Sequence, residues 1–313
     1  MATTGIHHVT AIAGNARRNL EFYTRTLGLR LVKKTVNFDD PGTYHFYFGD
    51  AQGSPGTIIT FFPWSHVASG RLGTGETQET ALRVPEAALG FWLERFVAMG
   101  VSHEPVATRF GARTLPFRDP DGMALALVAV PGAESEPAWS DGSVPAEFAI
   151  RGIHGVTLLL AEAGATAKIL ADVLGFAEER TEGAVTRLRS PDTQIGGIVD
   201  LRAVGGFPRG RSGGGSVHHI AFRAADDAAQ AGMVRKLETA FGIRPTPQKD
   251  RTYFRSVYFR EPGGVLFEIA TDAPGFAVDE LPAHLGEALK LPAFLEARRA
   301  EIAARLPELG DTA

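Results

Sequence analysis

Ser216-Val217-His218-His219-Ile220-Ala221-Phe222 and Gly263-Gly264-Val265-Leu266-Phe267-Glu268-Ile269-Ala270 bound the stretch around which this chain is organised. Both ends are rich in β-branched and aromatic residues, which predicts short strands. His219 and Glu268 are polar side chains inside apolar runs. A buried imidazole or carboxylate is costly unless it is paired, neutralised or bound to a metal. A second His-His doublet lies far upstream, in Gly5-Ile6-His7-His8-Val9-Thr10, at the start of a similar unit. The expectation is that His8, His219 and Glu268 converge on one metal ion.

The rest of the chain sets bounds on that reading. It has 313 residues, 44% apolar and 22% charged, which is the range of a globular chain with room for two domains. The net charge of −4 is spread over interspersed residues of both signs, so neither nucleic acid nor an anionic membrane is an expected partner. No apolar run is long enough to span a bilayer, and the N-terminus has no basic segment followed by an apolar core. The absence of cysteine excludes disulfides, thiolate metal sites and cysteine nucleophiles. A cytoplasmic location is expected by elimination.

A repeat emerges on moving outward from 216–270. Gly5-Ile6-His7-His8-Val9-Thr10 is echoed by Gly152-Ile153-His154-Gly155-Val156-Thr157. A helix is expected after each, over about 16–27 and 163–174, stopped by Gly28 and Gly175. Two further units have a strand near 77–84 with a helix over 86–99, and a strand over 216–223 with a helix over 226–241. Each closes with strands and a turn rich in Pro, Gly or Asp: Ser54-Pro55-Gly56, Asp119-Pro120-Asp121-Gly122, Ser190-Pro191-Asp192 and Glu261-Pro262-Gly263-Gly264. The chain thus reads as α+β, with four βαβββ modules. Two occupy 1–130, a linker covers 131–151, two more occupy 152–272, and 273–313 is a tail ending in an amphipathic helix near 293–306. Two long Gly-rich loops, 64–75 and 204–215, match no phosphate-binding frame and are expected to border a site or to be mobile.

Four such modules with a metal site resemble the vicinal oxygen chelate superfamily, which includes glyoxalases, bleomycin-resistance proteins and extradiol dioxygenases. The motifs HHVT, PGTIITFFPW, SVHHIAFR and DRTYFRSVYFREPGGVLFEIATDAPGF, with the tail LPAFLEARRAEIAARLPEL, are similar to its hydroquinone-cleaving dioxygenase branch. The resemblance implies modules paired into two cup-shaped mixed-sheet domains. It also implies roles beside the metal for His7 and His218, and places Arg251 and Tyr258 in a substrate pocket.

Two imidazoles and one carboxylate with open positions form the ligand set of non-haem Fe(II) oxygenases; Mn(II) accepts the same set, and no organic cofactor is expected. Counting six residues past each turn proline puts Phe61 and Ala126 where the fourth module has Glu268, and Gly155 replaces His8 in the third. Only the first and fourth modules therefore keep ligands, and they are expected to pair around the ion with no fourth protein ligand. Thr10, two residues from His8, shares its strand face and could orient His8 or substrate. His45 and His66 are further pocket candidates; His103 and His284 read as surface residues, and His154 as a packing residue.

The expected activity is cleavage of a dihydroxylated aromatic ring by O2, with both oxygen atoms retained. The expected partners are then a small aromatic substrate and O2, and a homo-oligomer is compatible with the tail. The alternatives are a metal-dependent isomerase or lyase of glyoxalase type, which needs a fourth ligand, and a non-catalytic aromatic-binding resistance protein, which needs no metal triad.

Overall fold

The structure is a computed structural model that describes residues 4–310. Its strands are β1 (Ile6–Ala13), β2 (Arg30–Asn37), β3 (Asp40–Gly49), β4 (Ile58–Pro63), β5 (Glu76–Pro85), β6 (Ala107–Arg109), β7 (Ala112–Arg118), β8 (Ala124–Val130), β9 (Gly152–Leu160), β10 (Ala177–Glu182), β11 (Val185–Arg189), β12 (Ile198–Ala203), β13 (Val217–Ala224), β14 (Lys249–Asp250), β15 (Arg255–Arg260) and β16 (Leu266–Thr271). The module helices are α1 (Ala16–Glu21), α2 (Leu89–Ala98), α3 (Gly164–Asp172) and α4 (Asp227–Phe241).

These strands form two eight-stranded mixed sheets. The first runs β14-β15-β16-β13-β1-β4-β3-β2, and the second β10-β11-β12-β9-β5-β8-β7-β6. The first module thus pairs with the fourth and the second with the third, with β1 antiparallel to β13 and β5 antiparallel to β9 at the two centres. Strand alternation gives each sheet two faces. One face packs on the helices: Tyr23, Phe48 and Phe61 meet at ring distances of 4.4–6.0 Å, and Phe222 meets Phe267 at 4.8 Å. The other face is concave and holds the site.

The first helix differs from expectation in its second half. After Glu21 the chain widens into a π turn over Phe22–Thr26, closed by Leu27 N–H to Phe22 O at 3.0 Å. It stops at Gly28, whose φ of +69° only glycine adopts readily, and where a Cβ would stand 2.6 Å from Val144.

The two Gly-rich loops are zipped to one another by bridges between Ser69 and Gly214, Arg71 and Arg211, and Thr74 and Arg209. Their glycines permit backbone contact: a Cβ on Gly73 would lie 2.4 Å from Gly210 N. These loops are the crossovers that carry the chain from one sheet to the other.

The tail docks on the first sheet. Its expected single helix is two short ones, α5 (Ala293–Glu296) and α6 (Arg299–Arg305), broken by a tight turn from Arg298 N–H to Leu295 O. Leu291, Leu295, Ile302 and Leu306 still share one stripe, buried against Val36 and Tyr44. Upstream of these helices the tail seals one side of the concavity. Fully buried Lys33 pairs there with Asp279 and Glu280, and its ammonium lies 4.9 Å from the centre of the Tyr253 ring. Phe276 and Leu285 pack with Val32, Tyr47, Tyr253 and Phe254 in the same place.

Candidate metal centre and substrate pocket

β1, β13 and β16 lie side by side, and each projects one polar side chain into the concavity. His219 Nε2 is 2.8 Å from Glu268 Oε2, and His8 Nε2 is 3.5 Å from the same oxygen. All three residues are buried, Glu268 completely. Among the described residues this is the group of His, Asp and Glu side chains able to hold a metal ion, with ligand atoms all within 4.8 Å of one another. Burial alone would raise the Glu268 carboxyl, but the two imidazoles hold it well below the usual carboxylate range. Burial lowers the His219 imidazole, against the pull of Glu268.

The surroundings fit a cation. Ser256 Oγ donates to Glu268 Oε1, whereas Oε2, though fully buried, makes no hydrogen bond. An orphaned carboxylate oxygen beside two imidazole nitrogens is costly unless an ion satisfies it. Both imidazoles also reserve Nε2. His8 Nδ1 lies 2.9 Å from His7 Nδ1, and His219 Nδ1 lies 2.8 Å from His218 Nδ1. A ligand histidine held through Nδ1–H presents its bare Nε2 to the metal.

Alternation alone would send His7 and His218 to the far face. They turn back because each is the extra residue of a β-bulge. The β1–β13 register passes from Ile6↔Phe222 to His8↔Ala221, and from Thr10↔His219 to Ala11↔Val217. Burial lowers the His7 imidazole, and partial desolvation together with His219 lowers that of His218, which keeps an exposed edge, so each can accept from its neighbour.

The register also corrects the count from the turn prolines. Glu268 pairs with Ala221, two residues past His219; the residue paired two past His8 is Thr60, opposite Thr10. Phe61 is one place off, on the helix face against Tyr23. Ala126, paired with Ala81, is correctly placed. Thr60 Oγ1 donates to Thr10 Oγ1 at 2.9 Å and lies 2.8 Å from His45 Nε2. Since the Thr60 proton is committed to Thr10, His45 must donate through Nε2. Its Nδ1 then accepts from Tyr47 Oη at 2.9 Å. Thr10 is thus hydrogen-bonded to Thr60 at the end of a Tyr47–His45–Thr60–Thr10 chain.

Above the metal group lies a cavity of about 230 Å³, walled by Phe62, Trp64, Phe254, Tyr47, Tyr258 and His45. Tyr258 sits opposite Glu268 in the sheet, and its Oη accepts from Arg251 Nε at 3.2 Å. Burial raises the Tyr258 hydroxyl, and Glu268 adds to the effect, so its proton is retained. Arg251 also reaches Asp39 at 3.1 Å, tying the β14–β15 turn to the β2–β3 turn at the cavity mouth. His66 and His284 are exposed, His103 lies against the second sheet, and none of them borders this cavity. His154 lies in the second sheet.

Tyr47, Phe254, Asp39 and Ser256 are pocket or support residues that the sequence reading omitted. For Ser256 a signal existed: alternation in Ser256-Val257-Tyr258 puts a small hydroxyl on the face of Tyr258.

Paired βαβββ modules with two histidines and a glutamate meeting between the first and last of them define a class of metal-dependent proteins, and the comparisons agree. The model of the Glyoxalase/Bleomycin resistance protein/Dioxygenase superfamily matches residues 5–127, and the chain belongs to that superfamily. Within it, the full-length relatives are named ring-cleaving dioxygenases. The chain is 45% identical over 300 residues to "Putative ring-cleaving dioxygenase MhqO" of Bacillus subtilis, covering 96% of this chain and 95% of that one. It is 32% identical over 303 residues to "Chlorohydroquinone/hydroquinone 1,2-dioxygenase" of Sphingobium indicum, covering 95% and 94%. The crystal structure of a "putative dioxygenase" from Bacillus subtilis, 44% identical, superimposes with a TM-score of 0.93 over 99% of both chains.

Proposed function

We propose that this chain is a non-haem Fe(II)-dependent ring-cleaving dioxygenase that opens a dihydroxylated aromatic of the hydroquinone type with O2. One observation carries the reading: where the sheet's pseudo-symmetry would put a second carboxylate there is Thr60, occupied by Thr10 and His45. Three protein ligands leave positions for substrate and O2 together, which the isomerase reading, with its fourth ligand, does not. The names of the relatives point the same way.

His8, His219 and Glu268 would hold the ion through Nε2, Nε2 and Oε2. When bound, iron supplies a Lewis-acidic, redox-active centre at which the ring and oxygen can react. The chain's residues do the rest. Phe254, Phe62 and Trp64 line the cavity and offer apolar surface against which a single ring would pack. The Arg251 guanidinium favours an ionised phenolic oxygen. Tyr258 accepts from Arg251 through its oxygen and so can donate its own proton to a substrate oxygen. Tyr47 and His45 form a proton path of fixed direction along the opposite wall.

The test is anaerobic purification, loading with Fe(II), and measurement of O2 consumption with hydroquinone, chlorohydroquinone and catechol. One O2 consumed per ring opened, fastest with a para-dihydroxy ring, is expected. No uptake with any of the three, together with conversion of a hemithioacetal, would replace this reading by the isomerase.

A further inference from the structure

The turn between β14 and β15, residues 251–254, carries Arg251 and Phe254 to the wall of the cavity. The corresponding turn of the second sheet, between β6 and β7, is Phe110-Gly111, and both residues have positive φ. The first sheet uses a longer turn without a glycine. Asp250 pairs with Arg255, and Arg251 N–H donates to Phe254 O at 3.0 Å. Thr252 stands at a φ of +71°, where a β-branched residue is strained. Its N–H donates to Asp250 Oδ1 at 2.7 Å. A strained residue of this kind persists only where its surroundings hold it in place.

Phe254 is anchored in its own right, its ring 5.0 Å from that of His8 and 5.2 Å from that of His7. Arg251 has less to hold it: the Tyr258 hydroxyl at 3.2 Å, and Asp39, whose carboxylate is largely exposed. Tyr253 lies between them in sequence but turns the other way, into the tail, where it is buried. There it is gripped at four points. Phe276 stacks on its ring at 5.0 Å, and the Lys33 ammonium lies 4.9 Å from the ring centre. Asp279 accepts from its hydroxyl at 3.1 Å and binds Lys33 at 2.5 Å through its other oxygen. Its carbonyl accepts from Gly275 N–H at 2.9 Å. The second sheet's turn needs no such hold, because Gly111 adopts its φ freely.

We propose that Tyr253 is a positioning residue: through it the tail segment 275–280 fixes the turn, and with it the place of Arg251 against the oxygen of a bound phenol. The inference rests on the phenol-binding part of the proposed function and not on the reaction with O2.

Anaerobic titration of the Fe(II)-loaded protein with 4-nitrocatechol, read by the dye's absorbance, tests it without turnover. Tyr253→Leu should weaken binding about tenfold, the effect of one charge-assisted contact, at unchanged metal content. Tyr253→Phe, which keeps the stack and the ammonium on the ring, should recover most of that loss. Arg251→Met should also weaken binding about tenfold. On that background Tyr253→Leu should add less than about twofold, because a residue that acts through another is not additive with it. The proposal falls if the wild type does not bind the dye, if Tyr253→Leu binds as the wild type does, if Tyr253→Phe is no better than Tyr253→Leu, or if the two losses multiply. Should Tyr253→Leu not fold, Asp279→Ala takes its place in the cycle, with a loss of about threefold that must vanish in Arg251→Met. Dye binding in the expected pattern, with no O2 consumed on any dihydroxylated ring, supports the role of Tyr253 and sinks the dioxygenase reading alone.

Discussion

The first and second sheets share strand order, register and the positions of two bulges, yet only the first assembles metal ligands among the described residues. The contrast comes down to three positions: His8, His219 and Glu268 on one side, Gly155, Glu79 and Ala126 on the other. The bulges persist where there is no ligand to orient. They therefore belong to the way two modules join, and the candidate metal group makes use of a kink the fold already has. What a module contributes chemically is set by a few side chains on a frame that stays the same.

The largest effect should come from stripping the first sheet of what the second lacks. Glu268→Ala should lose bound metal and bring O2 consumption to background, whereas His154→Ala, at the matching bulge, should keep full metal content by elemental analysis. Retention of a full metal equivalent by Glu268→Ala would erase the distinction between the sheets. A smaller loss is expected from the supports. Ser256→Ala and His218→Phe should each weaken metal affinity about 10–100-fold in competition with a chelator, as loss of an orienting partner does, and Ser256→Thr should restore most of it.

Gly155→Ala sharpens the contrast from the other side. With Ile198 O only 2.5 Å from the added Cβ, strand β12 must shift, at a cost of about 1–3 kcal/mol measured by denaturant unfolding. The same substitution should leave metal content untouched. The smallest effect is a pH dependence. His154 is lowered to about 3 in the fold and titrates near 6.5 when unfolded. Between those values the unfolded chain binds the extra proton. Stability is therefore full above about pH 6.5 and falls as pH drops, by at most about 1.4 kcal/mol per unit from this group. His154→Phe should flatten that part of the stability curve in metal-free protein; an unchanged slope would show that the His154 imidazole is as free to protonate as in the unfolded chain.

The fold and the convergence of His8, His219 and Glu268 were legible because they depend on local pattern. Polar residues in apolar strands stand out, and the doublets at His7-His8 and His218-His219 mark equivalent points of a repeat. What was not legible depends on long-range register. Phe61 stood in for Thr60 because counting from a turn cannot detect a one-residue offset, and one residue exchanges the faces of a strand. The backward turn of His7 and His218 needed the bulges, which exist only once β1 and β13 are aligned. Asp39 at the cavity mouth and the tail's carboxylates on Lys33 join segments more than 200 residues apart, and no spacing rule reaches that far. The Gly-rich loops were recognisable as unusual, but their reason, backbone laid against backbone, lies in the partner loop.

The union of first and last modules has a consequence for synthesis. His8 leaves the ribosome long before Glu268, so the nascent polypeptide carries that imidazole through the synthesis of three further modules with nothing to complete its grip. The middle modules, whose mutual pairing is closer in sequence, can assemble meanwhile and bring the waiting first module within reach of the fourth. Ion capture by this group would in this way wait for the fourth module, and a product terminated before it would carry no complete chelate.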